Sequence, residues 1–187
     1  MRIIGGDLKG KKLLIPLDKS TRPLKDMVRE SIFNILNHSS KVSKNINNSK
    51  VLDLFSGTGS FGIECLSRRA KEVIFFENYS NSLKILKKNL FNLKLEDKTK
   101  VYERNAYDLK ETNLKNEIFD IIFLDPPFKD KEINILIDQI KMLKIANINT
   151  LIIIHRNKKS VDNISKLLNI LDEKNYGLSK ILFSKLI

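Results

Sequence analysis

From residue 51 onward, short apolar runs alternate with stretches whose apolar residues recur at helical spacing. This alternation is typical of a parallel sheet covered by helices, because the strands of such a sheet are buried on both faces. The predicted strands cover 51–55, 72–77, 100–104, 118–124 and 150–154, and the predicted helices cover 62–69, 80–92 and 132–143. We therefore predict a doubly wound, Rossmann-like α/β unit with the first strand in a central position.

The C-terminal part of the chain predicts a closing hairpin. A short helix is expected at 160–168, followed by strands at 169–176 and 180–186 that join around Gly177. Because consecutive strands with a short connection pair antiparallel, these two strands bring the predicted sheet to seven.

The N-terminal part predicts a small extension of the same domain. Residues 2–5 and 11–15 are expected to form a β-hairpin, residues 24–37 carry apolar side chains at helical spacing, and 38–50 is a polar loop. We expect one domain, 1–187, in which 1–40 is the hairpin and helix extension and 50–187 is the core.

A glycine-containing turn, Ser56-Gly57-Thr58-Gly59-Ser60-Phe61-Gly62, follows the first core strand. Glycines at a strand-to-helix turn let a ligand approach the backbone, and the helix N-terminus favours a negative group. The spacing also fits the dinucleotide fingerprint, so it suits NAD as well as S-adenosylmethionine. Glu77 ends the second strand and is placed to accept hydrogen bonds from both ribose hydroxyls of either ligand.

The loop Asp125-Pro126-Pro127-Phe128 distinguishes the two ligands. It follows the apolar run 119–124, and its two prolines make a stiff segment with carbonyl acceptors and no competing N–H donors. Such a loop is suited to an amino group on a flat ring: the Asp125 carboxylate and a carbonyl hold its two hydrogens, while Phe128 stacks on the ring. Hydride transfer has no use for this loop, whereas methylation of an exocyclic amine has.

Asp125 is the residue to which we assign the main chemical role. We expect it to accept a hydrogen bond from the target amine and to align that amine for in-line attack on the sulfonium methyl. A strong base is unnecessary, because the methylated aryl ammonium is far more acidic than the starting amine. Asp125 or water can take the proton.

The chain resembles the RsmD family, bacterial methyltransferases that modify the N2 amine of one guanine in 16S ribosomal RNA. The resemblance extends from residue 1 to the C-terminus, and the N-terminal blocks are its most specific part, since adenine N6-methyltransferases share Asp-Pro-Pro-Phe. The matching blocks are Arg2-Ile3-Ile4-Gly5-Gly6, Lys9-Gly10-Lys11-Lys12-Leu13, Thr21-Arg22-Pro23, Asp26-x-Val28-Arg29-Glu30-Ser31-x-Phe33-Asn34, 51–59, Glu64, Leu66-Ser67-Arg68, Asp125-Pro126-Pro127-Phe128, Tyr176-Gly177 and Ile181-x-Phe183.

The resemblance implies a class I methyltransferase fold, S-adenosylmethionine as cofactor and a set of site residues. The expected catalytic residues are Asp125, Pro126, Pro127 and Phe128. The expected cofactor-binding residues are Asp53, Phe55, Ser56, Gly57, Thr58, Gly59, Glu77, Asn78, Asn105, Ala106 and Asp125. The expected RNA-binding residues are Arg2, Lys9, Lys11, Lys12, Arg22, Arg29 and Lys129.

Three of these assignments have alternatives. Asp53 is either an anchor near the methionine end of the cofactor or a strand-end carboxylate that caps backbone amides. Arg22 and Arg29 contact either RNA phosphate or the methionine carboxylate, and Arg29 is also spaced for an ion pair with Asp26 on the helix surface. Gly62 is expected to serve packing of helix against strand.

Two positions depart from the family pattern. His155 stands at the end of the fifth core strand, where relatives usually carry an acidic residue, so its role is open. Asn78-Tyr79 follows Glu77 where the family often has an Asp two residues on, so adenine packing is expected to differ here.

Composition supports an anionic partner and a reducing compartment. The net charge is +12, and basic residues gather in the first 30 positions and after the Asp-Pro-Pro-Phe loop, which favours nucleic acid. A Lys-, Asn- and Ile-rich composition also arises from an AT-rich genome. The single Cys65 excludes an internal disulfide, and neither of the two histidines has a ligand cluster at metal spacing.

We expect a cytoplasmic, monomeric enzyme without membrane segment or metal, acting on 16S ribosomal RNA or a partly assembled small subunit. Two other functional classes stay open: an adenine-N6 methyltransferase acting on DNA or RNA, and an RNA-binding assembly factor that has lost the chemistry. An NAD-dependent enzyme is a further alternative. Binding of S-adenosylmethionine and identification of the methylated base separate these hypotheses.

Overall fold

The computed structural model describes residues 1–16, 24–160 and 164–187. The predicted Thr21-Arg22-Pro23 block and the first part of the predicted helix at 160–168 lie outside the described residues. The helices are α1 (Asp26–His38), α2 (Ser60–Ser67), α3 (Ser80–Leu93) and α4 (Ile133–Met142). The strands are β1 (Lys50–Leu54), β2 (Glu72–Phe76), β3 (Thr99–Tyr102), β4 (Ile121–Leu124), β5 (Leu151–Asn157), β6 (Leu168–Tyr176) and β7 (Ser179–Leu186). Short 3₁₀ turns lie at Glu96–Lys98, Ala106–Glu111 and Ile164–Lys166.

In the described part of the chain, the seven strands form one sheet in the order β3-β2-β1-β4-β5-β7-β6. The first five in sequence pair parallel, and β7 pairs antiparallel with both β5 and β6. The strand order reverses between β1 and β4, whose last residues Leu54 and Leu124 are register partners. In open α/β sheets, ligands bind outside the carboxyl ends of the strands at such a point. The predicted seven-stranded sheet with a central first strand is confirmed.

Both faces of the sheet are buried, which explains why the core strands are almost uninterruptedly apolar. On one face, Val51 and Phe123 pack with residues of α1, α2 and α3. On the other, Leu52 and Ile122 pack with α4 and the turn at Ala106–Glu111. Alternate residues of one strand therefore serve two different cores.

Helix α1 belongs to the first core through a stack of aromatic rings. Phe33 of α1 stacks on Phe61 of α2 with ring centroids 5.3 Å apart, and Phe61 stacks on Phe123 of β4 at 4.0 Å. All three rings are buried. Side chains of this size contribute about 1.5–3 kcal/mol each when fully buried. Helix α1 is therefore packed on the core of the sheet as well as connected to it by the chain.

The predicted N-terminal hairpin is only partly formed. Pairing is limited to one antiparallel bridge between Arg2 and Lys12, flanked by hydrogen bonds from Ile3 N to Lys11 O at 3.0 Å and from Leu13 N to Met1 O at 3.1 Å. Gly10 N also donates to Ile3 O at 2.9 Å. The prediction of regular strands over 2–5 and 11–15 was therefore wrong.

The reason is that helix α2 takes the backbone donors that a longer ladder would need. The buried Glu64 carboxylate accepts hydrogen bonds from Ile4 N at 2.9 Å and Gly5 N at 2.8 Å. Gly6 has φ +76°, and a Cβ there would lie 1.9 Å from the carbonyl oxygen of Ser67. Gly6 is thus required by close docking against the end of α2.

Candidate active site

A cavity of about 470 Å³ opens at the carboxyl ends of β1, β2, β4 and β5. This volume lies in the range of small-molecule sites. Its lining includes most of the predicted cofactor and catalytic residues: Asp53, Phe55, Ser56, Gly57, Thr58, Glu77, Asn78, Asp125, Pro126, Pro127 and Phe128. It also includes residues outside the predicted cofactor-binding and catalytic sets, namely Leu24, Ser60, Phe61, Tyr79, Phe123 and His155. The fold brings the glycine turn and the Asp-Pro-Pro-Phe loop to one cavity.

The two glycines of the turn differ in what they contribute. Gly57 has φ +56°, and a Cβ there would meet no atom within 4 Å, so its backbone is open to a ligand. Gly59 has φ +81°, but a Cβ there would lie 2.4 Å from Leu86 Cδ1, and the residue is absent from the lining. Gly62 is equally crowded: a Cβ there would lie 2.3 Å from Phe75 Cε1, as expected for a glycine that packs helix against strand.

Glu77 is buried at the end of β2, and its two carboxylate oxygens collect backbone amides. Oε2 accepts from Gly57 N at 2.6 Å, while Oε1 accepts from Asn78 N at 2.9 Å and from Tyr79 N at 2.7 Å. Burial raises the pKa of Glu77, and these three amides oppose the rise by stabilising the charged form. The carboxylate is therefore fixed in orientation at the cavity wall, with one lone pair, on Oε2, left for a further donor.

Asp53 fulfils one of its two predicted roles visibly. Its Oδ2 accepts a hydrogen bond from Gly62 N at 3.0 Å, so it caps the start of α2. Its Oδ1 is buried without a hydrogen-bond partner among the described residues, although the side chain lines the cavity. Burial raises the pKa of Asp53 well above its usual value; the Gly62 amide opposes this, and the charges of Asp125 and Glu77 add to it. A buried, unpaired acceptor of this kind fits a bound cationic or hydrogen-bond-donating group.

Asp125 extends from the end of β4 into the cavity, where it contacts His155 of β5. Asp125 Oδ1 lies 2.7 Å from His155 Nδ1, and His155 Nε2 lies 2.9 Å from Ser179 Oγ. The His155 ring is buried and also packs edge-on against Phe128, with centroids 5.3 Å apart. The residue at position 155, where the chain departs from the family pattern, is therefore part of the site.

The Asp-Pro-Pro-Phe loop is held from below by Arg156. This buried side chain donates from Nη1 to Pro127 O at 3.3 Å and from Nη2 to Asp130 O at 2.6 Å. Asp130 N also donates to Pro127 O, at 2.9 Å, so the Pro127 carbonyl already accepts two hydrogen bonds. The loop is thus positioned by two consecutive residues of β5.

Tyr107 connects this loop to the turn after β3. Its hydroxyl donates to Asp130 Oδ1 at 2.8 Å, and its ring packs edge-on against Phe55. Burial raises the pKa of Tyr107, and Asp130 adds to the rise, so the hydroxyl keeps its proton. The predicted adenine-side residues lie just before it, outside the cavity lining: Asn105 Oδ1 accepts from Tyr107 N at 3.1 Å, and Ala106 is buried. Their contact with a cofactor stays a prediction.

The predicted RNA-binding residues fall into two groups. Arg2, Lys9, Lys11, Lys12 and Lys129 are exposed, as a contact with phosphate requires, and Arg22 lies outside the described residues. Arg29 differs, because its side chain is fully buried and donates to the Arg2 carbonyl and, at 3.1 Å, to Asp26 Oδ1. It is absent from the cavity lining, so the structure does not support direct contact with RNA phosphate or the methionine carboxylate. Its observed role is to tie α1 to the N-terminal segment.

Metal clusters and membrane spans are both absent from the described ranges 1–16, 24–160 and 164–187. No group of three or more His, Cys, Asp or Glu side chains is arranged to hold a metal ion there. No helix in these ranges is long and apolar enough to span a membrane. Cys65 is a buried free thiol within α2.

The strand order, the open glycine turn and the carboxylate-lined cavity define a class I S-adenosylmethionine-dependent methyltransferase. The residues present fit that cofactor: Asp53 has an unpaired buried oxygen, Gly57 an open backbone and Glu77 an oriented carboxylate. Over residues 1–185 the sequence matches the model of the family described as Conserved hypothetical protein 95, and the chain belongs to this family. The resemblance drawn from the sequence motifs is confirmed.

Three relatives illustrate the similarity. YlbH of Bacillus subtilis is 37% identical over 148 residues, which cover 77% of this chain and 77% of YlbH. Ribosomal RNA small subunit methyltransferase D of Haemophilus influenzae is 39% identical over 129 residues, which cover 68% of this chain and 64% of that relative's length. The solved structure of yhhF from Escherichia coli has a TM-score of 0.83 and 28% identity, covering 100% of this chain and 97% of that chain.

Proposed function

We propose that this protein transfers a methyl group from S-adenosylmethionine to the exocyclic N2 amine of a guanine in small-subunit ribosomal RNA. The observation that carries the proposal is the meeting of the Asp-Pro-Pro-Phe loop with the glycine turn in one cavity. The similarity to ribosomal RNA small subunit methyltransferase D supports the substrate class.

The charges at the cavity suit the cofactor. Asp53 and Glu77 line it, close to the open backbone of Gly57. S-adenosylmethionine supplies a methyl group on a positively charged sulfonium, which a carboxylate-lined cavity attracts. The Gly57 backbone and the Glu77 carboxylate are the proposed partners of the nucleoside part, and Asp53 Oδ1 is the proposed partner of the methionine end.

The loop offers one acceptor for each hydrogen of the target amine. Asp125 Oδ1 is engaged by His155, which leaves Oδ2 for the amine. The Pro127 carbonyl already accepts from Asp130 N and Arg156, so we assign the second amine hydrogen to the Pro126 carbonyl. Phe128, half-buried at the rim, is placed to stack on the base.

The methyl transfer balances with these residues alone. S-adenosylmethionine, when bound, would supply the methyl group: the amine nitrogen would bond to the methyl carbon as the carbon–sulfur bond broke, and a neutral thioether would remain. The methylated nitrogen then loses a proton to Asp125 Oδ2 or to water. The protein contributes mainly orientation, because in-line attack requires the nitrogen, the methyl and the sulfur to be aligned.

The substrate must present an unpaired or flipped-out base, since an amine inside a duplex cannot reach this cavity. The exposed Arg2, Lys9, Lys11, Lys12 and Lys129 are the proposed contacts for the RNA backbone. We further propose that a monomer acts on 16S ribosomal RNA or on a partly assembled small subunit, in the cytoplasm where ribosomes are built.

The test is methyl transfer from labelled S-adenosylmethionine to small ribosomal particles that lack the modification, followed by mass analysis of the nucleosides. N2-methylguanosine is the expected product. N6-methyladenosine would assign the protein to the adenine class, and cofactor binding without any product on naked RNA or particles would contradict the proposed substrate.

A further inference from the structure

His155 contacts both distinctive side chains of the Asp-Pro-Pro-Phe loop. Its Nδ1 lies 2.7 Å from Asp125 Oδ1, and its ring meets Phe128 at an interplanar angle of 78°. We propose that His155 is a positioning residue for methyl transfer, which holds one oxygen of Asp125 so that only Oδ2 is presented to the target amine. This inference rests on the proposed function, because it takes Asp125 as the acceptor of that amine.

The sheet places the imidazole beside the carboxylate. Leu124 of β4 and Ile154 of β5 are register partners in parallel strands, so Asp125, which follows β4, lies beside His155 of β5. Ser179 opens β7, which pairs antiparallel with the end of β5. The extension of β5 to Asn157, beyond the predicted end at 154, is what carries His155 into the sheet.

The hydrogen-bond chemistry fixes which ring nitrogen carries the proton. An ionised carboxylate can only accept, so the contact with Asp125 requires a hydrogen on Nδ1. In a neutral imidazole, Nε2 is then an acceptor, and the Ser179 hydroxyl at 2.9 Å is placed to donate to it. Ser179 is buried, as is His155, so water does not replace this donor freely. The hydrogen bonds from Ser179 to His155 and from His155 to Asp125 therefore fix the orientation of the Asp125 carboxylate from its buried side.

The consequence for the reaction concerns geometry. A carboxylate held by one oxygen cannot rotate about its Cβ–Cγ bond, whereas an unheld one presents either oxygen over a range of directions. Because the His155 ring also packs against Phe128, the acceptor and the stacking ring are kept in a fixed relation to each other. Misplacement of a reacting group by about 1 Å lowers the rate by about 100-fold.

Two amide substitutions separate the hydrogen bonds of the two ring nitrogens. In His155→Asn the amide N–H lies near the position of Nδ1, so the hydrogen bond to Asp125 is kept and the one from Ser179 is removed. In His155→Gln the amide reaches the position of Nε2, so the hydrogen bond with Ser179 is kept and the one to Asp125 is removed. The exposed His38→Gln is the control for loss of a histidine.

We expect His155→Gln to lower kcat by about 100-fold, with the KM and Kd for S-adenosylmethionine unchanged, and His155→Asn to stay within about 10-fold of the wild type. Unchanged cofactor affinity also shows that both variants are folded. Equal activity of the two variants, or wild-type turnover in His155→Gln, would overturn the proposal.

A measurement without substrate separates this inference from the proposed function. The chain has only two histidines, so the ¹⁵N resonances of His155 are assigned by comparison with His38→Gln. We expect an Nδ1-bound hydrogen that is protected from exchange and loses that protection in Asp125→Ala. If Nδ1 carries no hydrogen in the wild-type protein, the proposal is wrong. If Nδ1 is protonated and protected but no RNA is methylated, the proposed function fails instead.

Discussion

Glu77 offers the sharpest test of the cofactor site, because Glu77→Gln removes a hydrogen-bond acceptor and a negative charge while the size and shape of the side chain stay the same. In Glu77→Gln the side-chain oxygen is expected to face the Asn78 and Tyr79 amides, since two donors point there. The new NH2 group then faces Gly57 N, which now donates to Oε2 at 2.6 Å. The NH2 group and the Gly57 N–H are both donors, so the hydrogen bond between position 77 and Gly57 is lost. The ligand also loses the acceptor that the Glu77 carboxylate offered it.

The magnitudes differ for stability and for binding. An unsatisfied backbone amide costs about 1–3 kcal/mol, and the half-exposed Gly57 belongs at the lower end, about 1 kcal/mol. Loss of the charge offsets part of this, because burial of the carboxylate raises the pKa of Glu77. A hydrogen bond to a charged acceptor contributes about 1.5–3 kcal/mol. The Kd for S-adenosylmethionine should therefore rise by about 10- to 150-fold.

The assay is calorimetric titration of S-adenosylmethionine, with thermal unfolding of the free protein recorded in parallel. Glu72→Gln is the matched control, because it makes the same change at the other end of β2, where Glu72 is half-exposed and pairs with Lys50 at 3.4 Å. Such a pair contributes about 0–1 kcal/mol to stability and is remote from the cavity. A Kd for Glu77→Gln within about threefold of the wild type would refute the assignment of Glu77 to the ribose.

Four further outcomes are expected. Asp125→Ala should abolish methyl transfer and leave the Kd for S-adenosylmethionine nearly unchanged; wild-type-like turnover would contradict the mechanism. Gly6→Ala should lower the free energy of unfolding, measured in urea, by more than about 2 kcal/mol, because a Cβ would lie 1.9 Å from a carbonyl oxygen. Gly10→Ala is the control: Gly10 has a similar φ but open space around it, so this change should cost about 1 kcal/mol. Because burial raises the pKa of Asp53, the folded state holds the proton of this side chain to higher pH than the unfolded state does. The stability of the wild type relative to Asp53→Asn should therefore fall as pH rises above about 4. A difference in the free energy of unfolding that stays constant between about pH 4 and pH 8 in urea titrations would argue against this. Replacement of Lys9, Lys11 and Lys12 by alanine should weaken RNA binding and reduce its log–log salt slope by about 0.7–0.9 for each phosphate that is no longer neutralised, measured by filter binding.

The core of the fold was predictable because its strands are buried on both faces. Runs such as 118–124 contain almost no polar residue, and the flanking turns mark their ends. The site carboxylates were predictable for a related reason: Asp53, Glu77 and Asp125 interrupt or end those runs where parallel strands bring their carboxyl ends together. Position along a strand was enough to group them.

The parts that sequence reasoning missed depend on contacts between distant segments. No local pattern shows that the Glu64 carboxylate takes the amides of Ile4 and Gly5, so the hairpin was predicted as longer than it is. Likewise the role of His155 was left open and Arg156 was not singled out, and both roles appear only when β7 extends the strand beside the catalytic loop. The signal that was available was the consecutive placement of two large polar side chains at a strand end that must lie next to Asp125.

The ring stack from Phe33 through Phe61 to Phe123 has a consequence for how such enzymes can be recombined. A recognition segment that is attached only by a flexible linker can be exchanged between proteins as a module. The N-terminal segment of this protein, residues 1–40, instead packs into the same hydrophobic core as the sheet that carries the catalytic loop. Residues 50–187 taken alone would present the faces of Phe61 and its neighbours to water, and residues 1–40 taken alone would lack a surface on which to fold. A transplant of the N-terminal segment to another methyltransferase would therefore have to include the aromatic positions of the recipient's second helix.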